Sequence, residues 1–196
     1  MVEKTLSDLF LAQLKDIYYA EKKSFRTLPK MVKAAQVPEL KQAFTAHREE
    51  TQGQIERLEQ LFEMVGKRPQ TKPCEAIDGI VAEGEETIED FGESAAIDTG
   101  LVAAGQAVEH YEMARYGALI AWAGQLGMPE AAALLNQTLQ EEMKAERLLT
   151  QIAKRKADRQ LPLRWRRRGK RQRRVARRPL SLAVQLSDSD IQGKKS

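Results

Sequence analysis

The chain has 196 residues, of which 31% are charged, and its formal net charge is +4 at pH 7. No apolar stretch is long enough to cross a membrane as a helix, which excludes an integral membrane protein with helical spans. The first residues lack the basic and apolar segments of a secretory signal, and the single cysteine, Cys74, cannot form an internal disulfide. We therefore predict a cytoplasmic protein that has no membrane partner.

The charge is divided unevenly along the chain. Residues 154–196 contain 16 Lys and Arg against 3 Asp and Glu, whereas residues 1–153 contain 16 against 25. The basic excess therefore belongs to the C-terminal segment, which has too little apolar content to fold alone. The sequence predicts one domain over residues 1–156 and a disordered basic tail over residues 157–196.

Good helix formers dominate the predicted domain, and apolar residues recur there at spacings of three and four. The first long helix is predicted to begin near Thr5, with Asp8 completing a capping box, and to reach about Ala35. The second begins at Pro38, a favourable first-turn residue, and ends at Gly66, a favourable C-cap. The tight connection between them predicts an antiparallel hairpin.

A longer connection follows, and it includes a predicted short helix from Glu75 to Phe91. The third long helix is predicted to start near Ser94 or Ala95, and the fourth starts at Pro129 after a turn at Gly127. Two hairpins joined by one long crossover define the ferritin-like arrangement rather than a simple up-and-down bundle. The predicted fold is therefore all-α, a ferritin-like four-helix bundle with a short fifth helix.

Acidic residues occupy inward positions of these helices where leucine would be expected. Glu21 lies near the centre of the apolar stripe of the first helix, Glu109 and Glu112 point inward on the third, and the fourth carries Glu142 and Glu146. Burial of an ionised carboxylate costs several kcal/mol unless a cation or hydrogen-bond donors compensate for it. A bound metal ion accounts for all of these positions at once.

The second helix offers a histidine as well as acids. His47 lies within the apolar stripe and Glu50 lies three residues later, so both side chains can reach one point, and we prefer this pair over Glu49 and Gln52. Carboxylate oxygens with one imidazole nitrogen favour Fe, or Mn, over Zn. Known two-metal sites in helical bundles are built from such residues. The predicted metal ligands are Glu21, His47, Glu50, Glu109, Glu112, Glu142 and Glu146.

A simpler interpretation stays open on the residues alone. The acids would then flank the apolar stripes and form solvated salt bridges with Lys and Arg, and His47 would be a core histidine that binds no metal. Tyr116, one turn beyond Glu112, fits core packing or a hydrogen bond to a ligand.

Four segments resemble the YciE/YciF family of ferritin-like bacterial proteins. They are LKDIYYAEKK (14–23), HREETQGQIERL (47–58), CEAIDGIVAEG (74–84) and AVEHYEMARYG (107–117). The resemblance covers about residues 4–153 and implies a rubrerythrin-like bundle with a dimetal carboxylate site, a link to stress responses and a homodimer.

Carried onto this chain, the resemblance places the metal site on residues that the helical pattern also selects, namely Glu21, Glu50, Glu109, Glu112 and Glu142. Position 146 is often Asp in relatives, and position 54, Gln in this chain, is His in some of them. The resemblance also suggests a redox-responsive role for Cys74, as an alternative to a small buried apolar residue.

A dense cationic run begins at Arg164, outside the segment that the resemblance covers. Its Lys and Arg side chains could neutralise phosphates, and Trp165 could stack on a base. The alternatives are a tail that folds back on the acidic bundle and a shifted reading frame after about Ala157. The predicted nucleic-acid-binding residues are Arg164, Trp165, Arg166, Arg167, Arg168, Lys170 and Arg171.

Two functional hypotheses follow from the sequence. The first is a dimetal-carboxylate iron protein of stress defence that couples Fe oxidation to consumption of O₂ or peroxide, as a ferroxidase or peroxide-linked oxidoreductase. The alternative is a non-enzymatic helical dimerisation or adaptor protein whose basic tail binds nucleic acid. Whether the protein is an enzyme is left open by the sequence.

Overall fold

The computed structural model describes residues 3–160, and within them the chain forms five α-helices. They are α1 (Leu6–Ala34), α2 (Pro38–Met64), α3 (Glu75–Phe91), α4 (Ile97–Gln125) and α5 (Pro129–Gln160). The predicted all-α class and the short helix in the crossover are confirmed. None of the helices in this part of the chain has the length and apolar character needed to cross a membrane. Residues 161–196, which make up most of the predicted tail, lie outside the described residues.

Local sequence signals explain where most of the helices begin and end. The Thr5 hydroxyl accepts a hydrogen bond from the Asp8 backbone N–H at 3.3 Å, and Asp8 Oδ2 accepts one from the Thr5 backbone N–H at 2.9 Å. This is the predicted capping box. Gly66 and Gly127 follow α2 and α4 with φ values of 66° and 70°, in the left-handed region that glycine tolerates.

The start of α4 differs from the prediction by two or three residues. The helix begins at Ile97 rather than at Ser94 or Ala95, because the Ser94 hydroxyl accepts a hydrogen bond from the Ala96 backbone N–H at 3.1 Å and stabilises a turn there.

The crossover helix α3 runs alongside α1 and in the same direction. Asp78, near the start of α3, accepts a hydrogen bond from the Tyr19 hydroxyl at 2.8 Å, and Glu85, further along, pairs with Lys30 at 2.5 Å. Since α1 and α2 are joined by a short turn and are antiparallel, α3 returns the chain along the length of the bundle.

The remaining helices complete the predicted topology. The first turn of α4 lies at the end of α1, where Asp98 Oδ1 accepts a hydrogen bond from the Gln36 backbone N–H at 2.7 Å. The start of α2 lies at the end of α5, where Glu39 pairs with Arg155. Helices α2 and α4 therefore run in one direction and α1 and α5 in the other, which is the ferritin-like arrangement with one long crossover.

The apolar core is divided into two clusters along the bundle. One contains Phe10, Phe62 and Tyr116 and joins the first half of α1 to the second halves of α2 and α4 and the start of α5. The other contains Leu28 and Phe44 and fills the opposite end. Between them, the four long helices present buried polar side chains to one another, and this polar layer contains the candidate site.

A close approach of helices supports one side of the layer. A Cβ atom on Gly105 of α4 would lie 3.0 Å from Leu149 Cδ1 on α5 and 3.3 Å from Phe44 Cε1 on α2. Only glycine fits this position without displacing its neighbours.

Candidate metal centre

The polar layer is formed by side chains from all four long helices. Each is less than one-tenth exposed, although most are charged or strongly polar. Its members are Glu21, Ser24, His47, Thr51, Gln54, Glu109, Glu112, Thr138 and Glu142.

Four of these side chains converge on one point. His47, Glu109, Glu112 and Glu142 each offer a ligand atom, and these four atoms all lie within 4.8 Å of one another. His47 Nε2 lies 3.3 Å from Glu109 Oε1 and 3.9 Å from Glu142 Oε2. We refer to these four residues as the ligand cluster. Three carboxylates and one imidazole at this spacing are a donor set that can hold a metal ion.

Glu21 lies beside the ligand cluster and is oriented by a hydrogen bond. The Tyr116 hydroxyl donates to Glu21 Oε1 at 2.6 Å, and both side chains are buried. On the same side of the layer, the Ser24 hydroxyl donates to Glu112 Oε1 at 2.9 Å. Each of these carboxylates therefore has one oxygen fixed by a protein donor.

Five carboxylate oxygens of Glu21 and the ligand cluster are buried without a hydrogen-bond partner in the described part of the chain. They are Glu21 Oε2, Glu109 Oε2, Glu112 Oε2, Glu142 Oε1 and Glu142 Oε2. A buried polar atom left unpaired costs about 1–3 kcal/mol, and more if it is charged. Five such oxygens in one layer require either protons or a cation, so the donor set fits a metal ion.

The pKa values of these side chains also show that burial strongly opposes ionised carboxylates in the layer. Burial raises the pKa of Glu109 to about 8 and that of Glu21 to about 7, and it raises the pKa values of Glu112 and Glu142 well above the usual range. Neighbouring carboxylates add to the shifts of Glu109, Glu112 and Glu142. Burial opposes protonation of His47, but contacts with the surrounding glutamates outweigh it and raise its pKa. A bound cation would reverse these shifts and favour the ionised carboxylates.

Glu50 lies at the rim of the ligand cluster rather than within it. Its Oε2 lies 3.9 Å from His47 Nδ1, its Oε1 accepts a hydrogen bond from Lys144 Nζ at 2.8 Å, and the side chain is 31% exposed. The contact with His47, together with that from Lys144, lowers its pKa to about 2. Glu50 is therefore a carboxylate, ionised near neutral pH, between the cluster and solvent.

Glu146 forms hydrogen bonds with residues that do not belong to the ligand cluster. Its Oε1 accepts hydrogen bonds from Gln106 Nε2 at 3.1 Å and from the Thr150 hydroxyl at 2.7 Å. The structure thus brings His47, Glu109, Glu112 and Glu142 together, with Glu21 and Glu50 adjacent, and places Glu146 outside the ligand cluster. The seven candidate tail residues, Arg164 to Arg171, lie outside the described residues.

The predicted ligand set does not include four polar members of the layer, Ser24, Thr51, Gln54 and Thr138, although the family resemblance draws attention to position 54. Ser24 follows Glu21 by three residues and Gln54 follows Glu50 by four, so helical spacing from the predicted ligands was the available signal. Gln54 is fully buried, and its Oε1 has no hydrogen-bond partner among residues 3–155.

Cys74 is buried at the beginning of α3. Its Sγ lies 3.0 Å from the Tyr111 hydroxyl, which donates to Asp16 Oδ2 at 2.6 Å.

The fold and the site define a class of protein: an α-helical bundle with a buried histidine and carboxylate cluster that can hold a metal ion. Residues 5–162 match the family of domains of unknown function DUF892, and the chain belongs to this family. It is 44% identical over 151 residues to protein YciF of Escherichia coli K12, a match that spans 76% of this chain and 91% of YciF. The resemblance inferred from the four sequence segments is confirmed.

Solved structures of relatives have the same fold. The crystal structure of YciF, which is described as an E. coli stress protein, matches with 43% identity and a TM-score of 0.74, over 77% of this chain and 96% of the chain in that structure. YcfI from Rhodopseudomonas palustris, described provisionally as a structural protein, matches with 46% identity and a TM-score of 0.73, over 75% of this chain and 94% of that one.

Proposed function

We propose that this protein binds two Fe or Mn ions in the polar layer and couples metal oxidation to the consumption of O₂ or peroxide during stress. The observation that carries this proposal is the set of five buried carboxylate oxygens that have no hydrogen-bond partner among the described residues, four of them on the ligand cluster. A protein that only needed a stable core would gain by placing leucine at these positions. The description of YciF as a stress protein supports the physiological context.

Eight side chains have a defined part in this proposal. Glu109, Glu112, Glu142 and His47 would hold the metal ions, with Glu21 and Glu50 as the flanking carboxylates. A redox-active metal ion would supply electron transfer to a bound oxidant. Tyr116 and Ser24 hold Glu21 and Glu112 in position, and the two apolar cores exclude water from both sides of the layer.

The test is metal analysis of the full chain purified with iron supplied. We expect about two Fe per chain, as in other carboxylate-bridged bundles, and loss of that iron in a Glu112→Gln/Glu142→Gln double variant. Glu49→Gln is the matched control, because Glu49 is exposed beside Glu50 and should leave iron content unchanged. Addition of O₂ or peroxide to the anaerobic ferrous protein should then oxidise iron and consume the oxidant. Equal iron in the wild type and the double variant would refute the site, and oxidant left unconsumed would refute the activity.

A second candidate function is a non-enzymatic dimerisation protein, which is consistent with the provisional description of YcfI. Leu9 and Met64 are 49% and 46% exposed, and they lie at the same end of the α1–α2 hairpin. A homodimer through this end would bury both side chains. Sedimentation of the wild type and of a Leu9→Lys/Met64→Lys variant tests it. A dimer that the variant dissociates supports this function through this end, a dimer in both proteins refutes this interface, and a monomeric wild type refutes the function.

A further inference from the structure

A narrow cleft between α2 and α5 leads from the surface to the ligand cluster. Its volume is about 70 Å³, and its polar lining consists of His47, Glu50, Glu109 and Lys144. His47 and Glu109 are buried, Glu50 is partly exposed, and the Lys144 side chain is 70% exposed, so these residues run from the interior to the solvent. A cavity of this size holds a few water molecules or one ion with part of its hydration shell.

The remaining walls of the cleft are apolar. They are formed by Ala43, Phe44, Ala46, Ala145, Leu148 and Leu149. Phe44 and Leu149 are buried, whereas Ala46 and Leu148 are exposed on opposite sides of the opening. A charged species can pass between such walls only where ligand atoms line its path.

Such ligand atoms lie on both sides of the His47 imidazole, between the rim and the interior. Glu50 Oε2 lies 3.9 Å from His47 Nδ1, and His47 Nε2 lies 3.3 Å from Glu109 Oε1 and 3.9 Å from Glu142 Oε2. The imidazole therefore has one nitrogen toward the rim and the other toward the buried carboxylates. A carboxylate oxygen therefore lies within 3.9 Å of the imidazole on its rim side and on its interior side.

We propose that this cleft is the route by which a divalent cation reaches the ligand cluster, and that Glu50 is the first ligand the cation meets. The Lys144 ammonium occupies Glu50 Oε1 at 2.8 Å and competes with the incoming cation for that carboxylate. Because Lys144 is well exposed, its release from Glu50 costs little. This inference rests on the metal-binding function proposed above.

The rate of Co²⁺ uptake by the metal-free full chain, followed by its visible absorption in a stopped-flow instrument, tests the role of Lys144. We expect Lys144→Met to load about threefold faster at low salt, because one positive charge is removed near the path. The difference should shrink as salt screens that charge. Lys30→Met is the matched control, since it removes another exposed lysine that pairs with a glutamate away from the cleft. Equal acceleration by both variants would refute a specific role for Lys144.

Obstruction of the opening tests the route itself. Leu148→Trp and Ala46→Trp place a bulky ring on the two sides of the opening, and each should slow Co²⁺ uptake by about tenfold or more because the narrow cleft has no room for it. Leu9→Trp is the matched control for an exposed leucine far from the cleft, and its rate should equal that of the wild type. Circular dichroism establishes that each variant is folded.

The outcomes separate the route from the function. Wild-type rates in both tryptophan variants, with the same final amount of Co²⁺ bound, would refute the route and leave the metal site standing. Failure of the wild type to bind Co²⁺ at all would refute the metal-binding function, and the route with it. Slow uptake in both variants with unchanged final binding would support the proposal.

Discussion

The Tyr116 hydroxyl donates a hydrogen bond to Glu21 Oε1 at 2.6 Å in the centre of the bundle. Burial and the nearby glutamates, Glu21 foremost, raise the pKa of Tyr116 well above its usual range, so the phenol stays protonated and remains a donor at neutral pH. The other oxygen, Glu21 Oε2, lies beside the ligand cluster and has no hydrogen-bond partner among residues 3–155. Tyr116 therefore determines which oxygen of Glu21 is available to a cation.

Replacement of this donor should destabilise the metal-free protein. Tyr116→Phe leaves both oxygens of Glu21 buried and unpaired, and we expect the free energy of unfolding to fall by about 1–3 kcal/mol. Denaturant unfolding monitored by circular dichroism measures it. Tyr18→Phe is the control, because the Tyr18 hydroxyl donates at 2.7 Å to Glu59, which is partly exposed and can be solvated instead. A loss no larger than that of the control would contradict the role assigned to Tyr116.

The stability of the metal-free protein should fall as pH rises from about 5 to 8. The folded-state pKa values of Glu109 and Glu21 are about 8 and about 7, against an ordinary value of 4.5, so in this range the folded chain binds more protons than the unfolded chain. The raised pKa of His47 acts in the same direction, because its stabilising protonated form is lost as pH rises. Each unit of pKa difference corresponds to about 1.4 kcal/mol.

Melting temperatures of the metal-free full chain between pH 5.5 and 8 test this dependence. Saturating Mn²⁺ should remove or reverse the decline, because the cation replaces protons on the buried carboxylates. The Glu112→Gln/Glu142→Gln variant should show a flatter profile, since two of the shifted groups are absent. A metal-free stability that increases with pH would show that these carboxylates are not held in a proton-binding environment.

Two glycines of α4 should respond oppositely to alanine. Gly105→Ala places a Cβ atom 3.0 Å from Leu149 Cδ1, and we expect it to destabilise the protein by about 1–3 kcal/mol through overpacking. A Cβ atom on Gly117 has no neighbour within 4 Å in the described structure, so Gly117→Ala should stabilise the helix by about 0.5–1 kcal/mol. Denaturant midpoints of the two variants measure both effects, and changes of equal sign would contradict the packing of α4 described above.

The basic segment should confer salt-dependent binding to DNA. Replacement by Gln of the six Lys and Arg residues from Arg164 to Arg171, both included, removes from the full chain the charges proposed to neutralise phosphates. We expect loss of DNA retention at low salt, whereas the wild type is retained at low salt and released at high salt. Iron content should be the same in both proteins. Equal retention of both would show that these residues do not bind nucleic acid.

Most of the fold was predictable because its signals are local. Pro38 and Gly66 mark the ends of α2, the pair of Thr5 and Asp8 marks the start of α1, and the observed bounds of α3 are those predicted. The ferritin-like topology follows from the lengths of the connections alone. The predicted start of α4 was less accurate, because an apolar pattern does not reveal a turn that is stabilised by the Ser94 side chain.

The buried part of the candidate site was also predictable from the angular positions of its residues around each helix, whereas the residues at its rim were not. His47, Glu109, Glu112 and Glu142 converge as their positions on the apolar stripes indicate. The direction of Glu146 is set by Gln106 on the neighbouring helix, and Glu50 is held outward in part by Lys144. Such contacts depend on the relative rotation of two helices, which the pattern of a single helix does not contain.

A layer of acids divides the apolar core into two clusters. The stability of the middle of the bundle therefore depends more on pH and on bound cations than the stability of either end does. Protons neutralise this layer in acid, but they are lost as the pH rises through the raised pKa values of Glu21 and Glu109, and a cation must then replace them. We therefore expect chains that lack metal to open more often at mid-bundle and to be degraded faster in the cell. The abundance of the protein would then follow the supply of metal, in addition to any control of its synthesis.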